Sequence, residues 1–294
     1  MTHLIAGNTD ARYSAFNNAC RDLHNHYYNA PTTSGCSSQP PPLSFNDAPI
    51  DFLSPHFTGR EEDLCRIGEV LGVVYDSAPA RCGVYGMQGM GKTQLALQYA
   101  KISYNQQRHT VVFWISGATV EKLNQGLARV LTLIGHPDRD HTEQSTRLTA
   151  ARRWFEESGV MWLLVLDNVT QEAVGFLREH LPRKGSSGNV LLTSRTRAVA
   201  ETSTCAAGQQ HPIFELRSPS LKDAVTLLLR EAGIDMNDPA SPFASGAEDM
   251  VKSVGFLPLA ISHAASYAKQ SGNNLDDVLA IYQSKDKYDV GCNH

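Results

Sequence analysis

The chain has no C-x-x-C pair; its six cysteines (Cys20, Cys36, Cys65, Cys82, Cys205 and Cys292) lie far apart. That scatter points to neither a zinc site nor a disulfide framework. Cys65 and Cys82 fall where core residues are expected, a common place for free thiols. Long apolar runs are missing too. The longest, around Val111 to Ile115 and Trp162 to Leu166, have strand length, which excludes a membrane-spanning helix, and no membrane partner is expected. The amino terminus, MTHLIAGNTDAR, lacks the apolar stretch of a secretory signal. A reducing cytosolic or nuclear setting is therefore the default, with the cytoplasm the expected location. Charge is nearly balanced, 26 Lys and Arg against 30 Asp and Glu, net −4, so no basic surface is foreseen and nucleic acid is not an expected partner. There is no internal repeat with a period of about 20–50 residues, which excludes a solenoid.

What is present centres on Cys82 to Ala100, CGVYGMQGMGKTQLALQYA. Gly86, Gly91, Lys92 and Thr93 match G-x-x-x-x-G-K-[ST], the phosphate-binding P-loop. A short apolar run precedes the glycines, and Leu95, Ala96, Tyr99 and Ala100 follow at helical spacing, giving strand, tight loop and helix. Phosphates need several backbone N–H donors converging on them, so the main chain must approach closely. Gly86, Gly89 and Gly91 permit this, with Met90 and Gln94 contributing to the same loop and helix start. The helix beginning near Lys92 adds its unsatisfied N–H groups and positive dipole end. Lys92 reaches the β- and γ-phosphates and the Thr93 hydroxyl ligates Mg²⁺ in this pattern.

Residues 1–50 read as a disordered Asn- and Pro-rich arm and linker, with PTTSGCSSQPPPL favouring extended chain. An isolated pair, His24 and His26, in a polar tail is more simply solvated than metal-bound. From Asp51 the pattern becomes ordered. FTGREEDLCRIGEVL starts as a loop and turns helical, with Thr58 as a candidate cap and Leu64, Ile67, Val70 and Leu71 on one face. Apolar strand runs then alternate with helices: a strand over Thr110–Ser116, helices near 119–134 and 142–158, and strands at Trp162–Val169, from Asn189, and at Pro212–Arg217. The expected fold is α/β, a P-loop NTPase parallel sheet with helices on both faces spanning 51–217. After Ser218 the alternation stops. Residues 218–285 read as a small all-helical subdomain, its third helix ending at Gly272, and 286–294 as a tail.

Asp167 lies at the carboxyl end of WLLVLDNV, the edge of a parallel sheet where ligands bind. A carboxylate there, opposite a P-loop, can hold Mg²⁺ together with Thr93; a helix-capping Asp is the bland alternative. Thr193, Ser194 and Arg195 end the next strand. If that strand neighbours the P-loop strand, Arg195 is placed to read a γ-phosphate with its planar fork. Arg197 is a rival for that role, and a solvated surface arginine is the alternative to both. On this reading Lys92, Asp167 and Arg195 are the candidate catalytic residues.

In order, the segments FTGREEDL, GMQGMGKTQLA, VVFWISGAT, LLVLDNV, LLTSR and GFLPLAI resemble the NB-ARC branch of the STAND-class P-loop NTPases, the nucleotide-binding module of immune and cell-death receptors. The resemblance covers about residues 55–285. It implies an adenine nucleotide, ADP or ATP, bound with Mg²⁺. Phe57 and Thr58 would meet the adenine, Gly59 and Arg60 would shape the loop beside it, and Pro258 would pack on the ring, with 218–285 as the first helical (ARC1-like) subdomain. It implies a switch in which ADP is exchanged for ATP and the product is an assembly, with the chain itself or with a longer NB-ARC relative.

Two departures stand out. Asn168 occupies the position of a second acid, and an amide cannot accept the water's proton, so hydrolysis is expected to be slow or absent. Neither a winged-helix domain nor a repeat array is expected after Gly272, which reads as a truncated receptor, a decoy, or a partner acting in trans. A working P-loop ATPase or kinase, and a scaffold that has lost nucleotide, are the competing readings.

Overall fold

The computed structural model describes residues 43–73, 78–206, 208–234, 246–272 and 275–281. The expectations for residues 1–42 and for the tail at 286–294 lie outside those residues, as does the proline-containing stretch at 235–242.

The apolar runs form the strands expected of them. Named in chain order, these are β1 (Phe45–Asn46), β2 (Ala80–Tyr85), β3 (Val111–Ser116), β4 (Trp162–Val169), β5 (Gly188–Ser194) and β6 (Ile213–Glu215). They make one sheet, ordered β1-β3-β4-β5-β2-β6, with every pairing parallel. In β4, Trp162, Leu163, Leu164, Val165 and Leu166 are all buried, because helices cover both faces.

The period-two alternation of strand side chains divides them between two cores. On one face Phe113, Ile115, Trp162, Leu164, Leu166 and Leu192 pack with α3 (Val120–Leu133), α4 (Gln144–Glu157), α5 (Ala173–His180) and α6 (Arg197–Thr204). On the other, Val112, Leu163, Val165 and Leu191 meet α1 (Glu61–Leu71) and α2 (Lys92–Asn105). The predicted face of α1 holds: Leu64, Ile67 and Leu71 are buried. Beyond the sheet, α7 (Leu221–Ala232), α8 (Ala247–Ser253), α9 (Pro258–Ser271) and a helix at 275–281 gather around Leu228, Met250, Ile261, Ala264 and Val278. Gly272 ends α9 in the left-handed region, at the predicted stop.

Three local expectations fail. Order begins before Asp51: Phe45 and Asn46 pair with Val111 and Val112 as an edge strand, a run too short to show a period of two in the sequence. Thr58 does not cap α1; Arg60 is the N-cap residue, with φ 72° and no side-chain capping bond. Cys65 is half-buried and disulfide-bonded, where a free core thiol was expected, while Cys82 and Cys205 are free. Among the described residues no helix is long and apolar enough to cross a membrane.

At the end of the sheet where the strands begin, a buried polar chain ties elements together. Asn189 donates through Nδ2 to the Leu71 carbonyl at 2.9 Å, which turns its Oδ1 toward His109 Nε2 at 2.7 Å. His109 therefore carries its proton on Nε2 and accepts from the Ser103 hydroxyl at Nδ1. Burial lowers the imidazole pKa from 6.5 to about 4, only partly offset by Asn189. The unfolded chain thus binds a proton between those values that the folded chain does not. Stability should be unaffected by this group above pH 6.5 and should fall as pH drops from 6.5 toward 4, by about 3 kcal/mol in all. Buried His211, likewise lowered to about 4 by desolvation, contributes in the same window. Urea titrations from pH 8 to 4 test this, and His109→Gln should flatten part of the slope.

Candidate functional site

The P-loop joins β2 to α2 at the carboxyl edge of the sheet, between β5 and β6. Gly86, Gly89 and Gly91 have φ of 153°, 84° and 89°, conformations that L side chains rarely adopt. A Cβ on Gly86 would also lie 2.9 Å from the Leu216 carbonyl oxygen. α2 begins at Lys92, with Gly91 as its N-cap residue, so its first N–H groups open onto the loop.

Lys92 folds back over the loop and donates from Nζ to the carbonyls of Gly86 and Met87, each at 2.7 Å. Its ammonium pKa lies below the usual value, first because the group is desolvated and then because Arg195 is nearby, with Asp167 acting in the opposite sense.

Thr93 and Asp167 are brought together as the sequence suggested. The Thr93 hydroxyl lies 3.0 and 3.1 Å from the two Asp167 carboxylate oxygens. β5 lies between β2 and β4 and supplies a partner the sequence reading had not assigned. Thr193 donates from Oγ1 to Asp167 Oδ1 at 2.7 Å and accepts from the Asn168 N–H at 2.8 Å. The β4–β5 register shifts between Leu166 and Val169, and Asn168 sits there at φ 59°. Asparagine is among the few residues that tolerate that conformation. The signal for Thr193 was its place at a strand end in LLTSR.

Among the described residues no group of three or more His, Cys, Asp or Glu could hold a metal ion. A divalent cation beside Thr93 and Asp167 would thus take its remaining ligands from phosphate and water, the usual manner of Mg²⁺. The donor set fits that ion: one hydroxyl and one carboxylate, both hard oxygens.

The other predicted residues are placed as follows. Arg195 is exposed at the end of β5, and β5 does neighbour the P-loop strand, paired from Ala80–Asn189 to Tyr85–Ser194. Its rival Arg197 is paired with Glu201 at 2.8 Å along α6. The Gln94 side chain is committed to the preceding segment, accepting from Ser54 N at 2.7 Å and donating to the Phe52 carbonyl at 2.9 Å; only its backbone is left for the loop. Phe57 and Leu257 pack on the same apolar cluster as Met90. Pro258 starts α9, and the next residue, Leu259, donates its N–H to the Gly89 carbonyl at 3.2 Å. The helical subdomain therefore touches the P-loop main chain directly. Gly59 is buried and Arg60 reaches the loop through the Met90 carbonyl at 3.2 Å, while no hydrogen bond from Thr58 to the loop is seen.

Comparison with known proteins agrees with this geometry. The NB-ARC domain family matches residues 60–234, more than half of the chain. A nucleotide-binding leucine-rich repeat (NLR)-like protein of Hyaloscypha variabilis is 27% identical over 247 residues, covering 78% of this chain and 24% of that protein. The regulatory protein AfsR of Streptomyces griseus is 30% identical over 219 residues, covering 72% of this chain and 21% of that protein. The chain thus spans about a quarter or less of the length of these relatives. Among solved structures, the fold is shared with Drosophila ORC bound to DNA (TM-score 0.56, 12% identity, 92% of this chain and 72% of that one). It is also shared with the Aeropyrum pernix ORC2 protein in ADPNP–ADP complexes (TM-score 0.53, 15% identity, 82% of this chain and 72% of that one).

Thr193→Val keeps the side-chain volume but strands the Asn168 N–H and leaves Asp167 Oδ1 with the Thr93 hydroxyl alone. A stability loss of about 1–3 kcal/mol is expected, read by chemical denaturation.

Proposed function

The chain belongs to the NB-ARC family, and from that premise we propose that it is an ADP/ATP switch whose nucleotide state governs association with itself or with a longer relative. The observation that carries this reading is the double grip on the P-loop. Lys92 holds the Gly86 and Met87 carbonyls from within the motif, while Leu259 of the helical subdomain holds the Gly89 carbonyl. A loop that cradles phosphates and is also bonded to a second subdomain gives nucleotide binding a direct mechanical outlet.

In this reading the loop N–H groups and the α2 amino end take the β-phosphate. Lys92 exchanges its carbonyl partners for phosphate oxygens. Thr93 and Asp167 would hold Mg²⁺, which would supply charge neutralisation to the phosphates. Arg195 reads a γ-phosphate. Phe57, Thr58 and Pro258 would enclose the adenine. Asn168 offers no proton acceptor to an attacking water, so turnover is slow and the bound state is long-lived. Similarity to an NLR-like protein and to an RPP13-like disease resistance protein of Arabidopsis thaliana supports a role in signalling.

Lys92→Ala should weaken binding of a fluorescent ADP analogue at least about tenfold, since a charge-assisted phosphate contact contributes about 1.5–3 kcal/mol. Unchanged affinity would end the reading. Asn168→Asp should raise phosphate release from ATP, by up to about 10²–10⁴-fold if the missing base alone limits turnover. Aspartate is tolerated at this φ, so the fold should be preserved.

A further inference from the structure

Arg60 sits where three segments meet, and only one of its contacts was foreseeable from the motif that contains it. Its side chain is 12% exposed. Nη1 donates to the Arg217 carbonyl at 2.6 Å, Nη2 donates to the Met90 carbonyl at 3.2 Å, and Asp63 Oδ2 lies 3.3 Å from Nη1. Met90 belongs to the P-loop. Arg217 is the last residue before Ser218, Pro219 and Ser220, which lead from β6 into α7 and so into the helical subdomain.

The backbone is shaped to hold the guanidinium there. Gly59 and Arg60 are consecutive left-handed residues, φ 66° and 72°. A Cβ on Gly59 would lie 2.8 Å from Asp223 Cγ, in the first turn of α7, so the subdomain is seated against this bend. A non-glycine residue in the left-handed region costs free energy that surrounding contacts must offset. Here those contacts are the two carbonyls and Asp63. Arginine suits the position because its rigid planar fork serves two acceptors at once, which a lysine point charge on a flexible stem does not.

We infer that Arg60 is a positioning residue that couples the phosphate loop to the hinge at Arg217–Ser220. The inference rests on the reading that the loop takes nucleotide phosphates. The Met90 carbonyl and the Gly91 N–H belong to one trans peptide and point in opposite directions. Fixing the carbonyl toward Arg60 therefore sets the direction of an N–H in the phosphate loop. Any rotation of that peptide as phosphates load is passed by the same guanidinium to the Arg217 carbonyl, while Asp63 keeps the fork in plane. Leu259 acts on the neighbouring Gly89 carbonyl from the start of α9, so the helical subdomain meets the loop at a second point.

Trypsin reads the Arg60–Arg217 bond directly. The Arg217 side chain is 86% exposed, but cleavage after it requires its carbonyl to enter the protease oxyanion hole, and Arg60 holds that oxygen. In the ligand-free protein, Arg60→Ala and Arg60→Lys should both speed cleavage at Arg217–Ser218 about tenfold. Cleavage after exposed Arg139 and Lys184 should not change. Arg60→Lys retains the charge beside Asp63, which separates loss of the fork from general unfolding. Saturating Mg²⁺ and ADP should protect the Arg217 bond in the wild type and not in either variant. Equal ligand-free rates in wild type and both variants would overturn the inference, as would equal protection by ADP in all three. Failure of the wild type to bind a fluorescent ADP analogue would overturn the nucleotide reading instead, and the ligand-free comparison would still decide the part played by Arg60.

Discussion

The structure depends on one carboxylate held from two sides. Asp167 is reached by Thr93 from α2 and by Thr193 from β5, and it is carried by β4. Three elements that are far apart in sequence thereby converge on a single acid at the edge of the sheet. The constraint is strong because each partner is itself fixed. Thr93 lies in the first turn of a helix whose start is set by Gly91, and Thr193 also accepts the Asn168 N–H. A carboxylate so placed has its position fixed by hydrogen bonds from two separate elements.

Around that acid the loop is arranged by its carbonyls as much as by its N–H groups. Those of Gly86 and Met87 take Lys92, Gly89 takes Leu259, and Met90 takes Arg60. Each carbonyl fixed outward orients the peptide to which it belongs. Two of the four carbonyls are held from within the motif by Lys92, and two by residues about thirty positions before it and nearly 170 after it. The loop is therefore completed by contacts from outside its own motif. The Leu259 contact explains why the motif at 255–261 is placed against the P-loop although the sequence separates them so widely.

Much of this was legible beforehand where physics acts locally. Unbroken apolar runs such as Trp162–Leu166 could only be strands buried on both faces, and the glycine spacing at 86–91 admitted few conformations other than a phosphate loop. The α1 face and the stop of α9 at Gly272 followed from helical period and from glycine's tolerance of the left-handed region. Other features were hidden because they depend on partners. β1 is two residues long and exists as a strand only because β3 leaves an edge beside it. Thr58 looked like a cap, but the bend that seats Asp223 puts Arg60 in that position instead. Gln94 looked free for a ligand, yet its amide is used to fasten residues 52–54.

The sequence by itself determined the alternation of strand and helix, the P-loop, the acid at the end of β4 and the basic residue at the end of β5. These rest on side-chain period, backbone permissiveness and charge type, all properties of residues near one another in the chain. Only the tertiary structure decided that β5 lies between the loop strand and the acid strand, that Thr193 holds the acid, and that Arg60 spans from Met90 to Arg217. Those are matters of strand order and of which carbonyl a long side chain reaches, and they are settled by how the buried faces of the whole domain pack together.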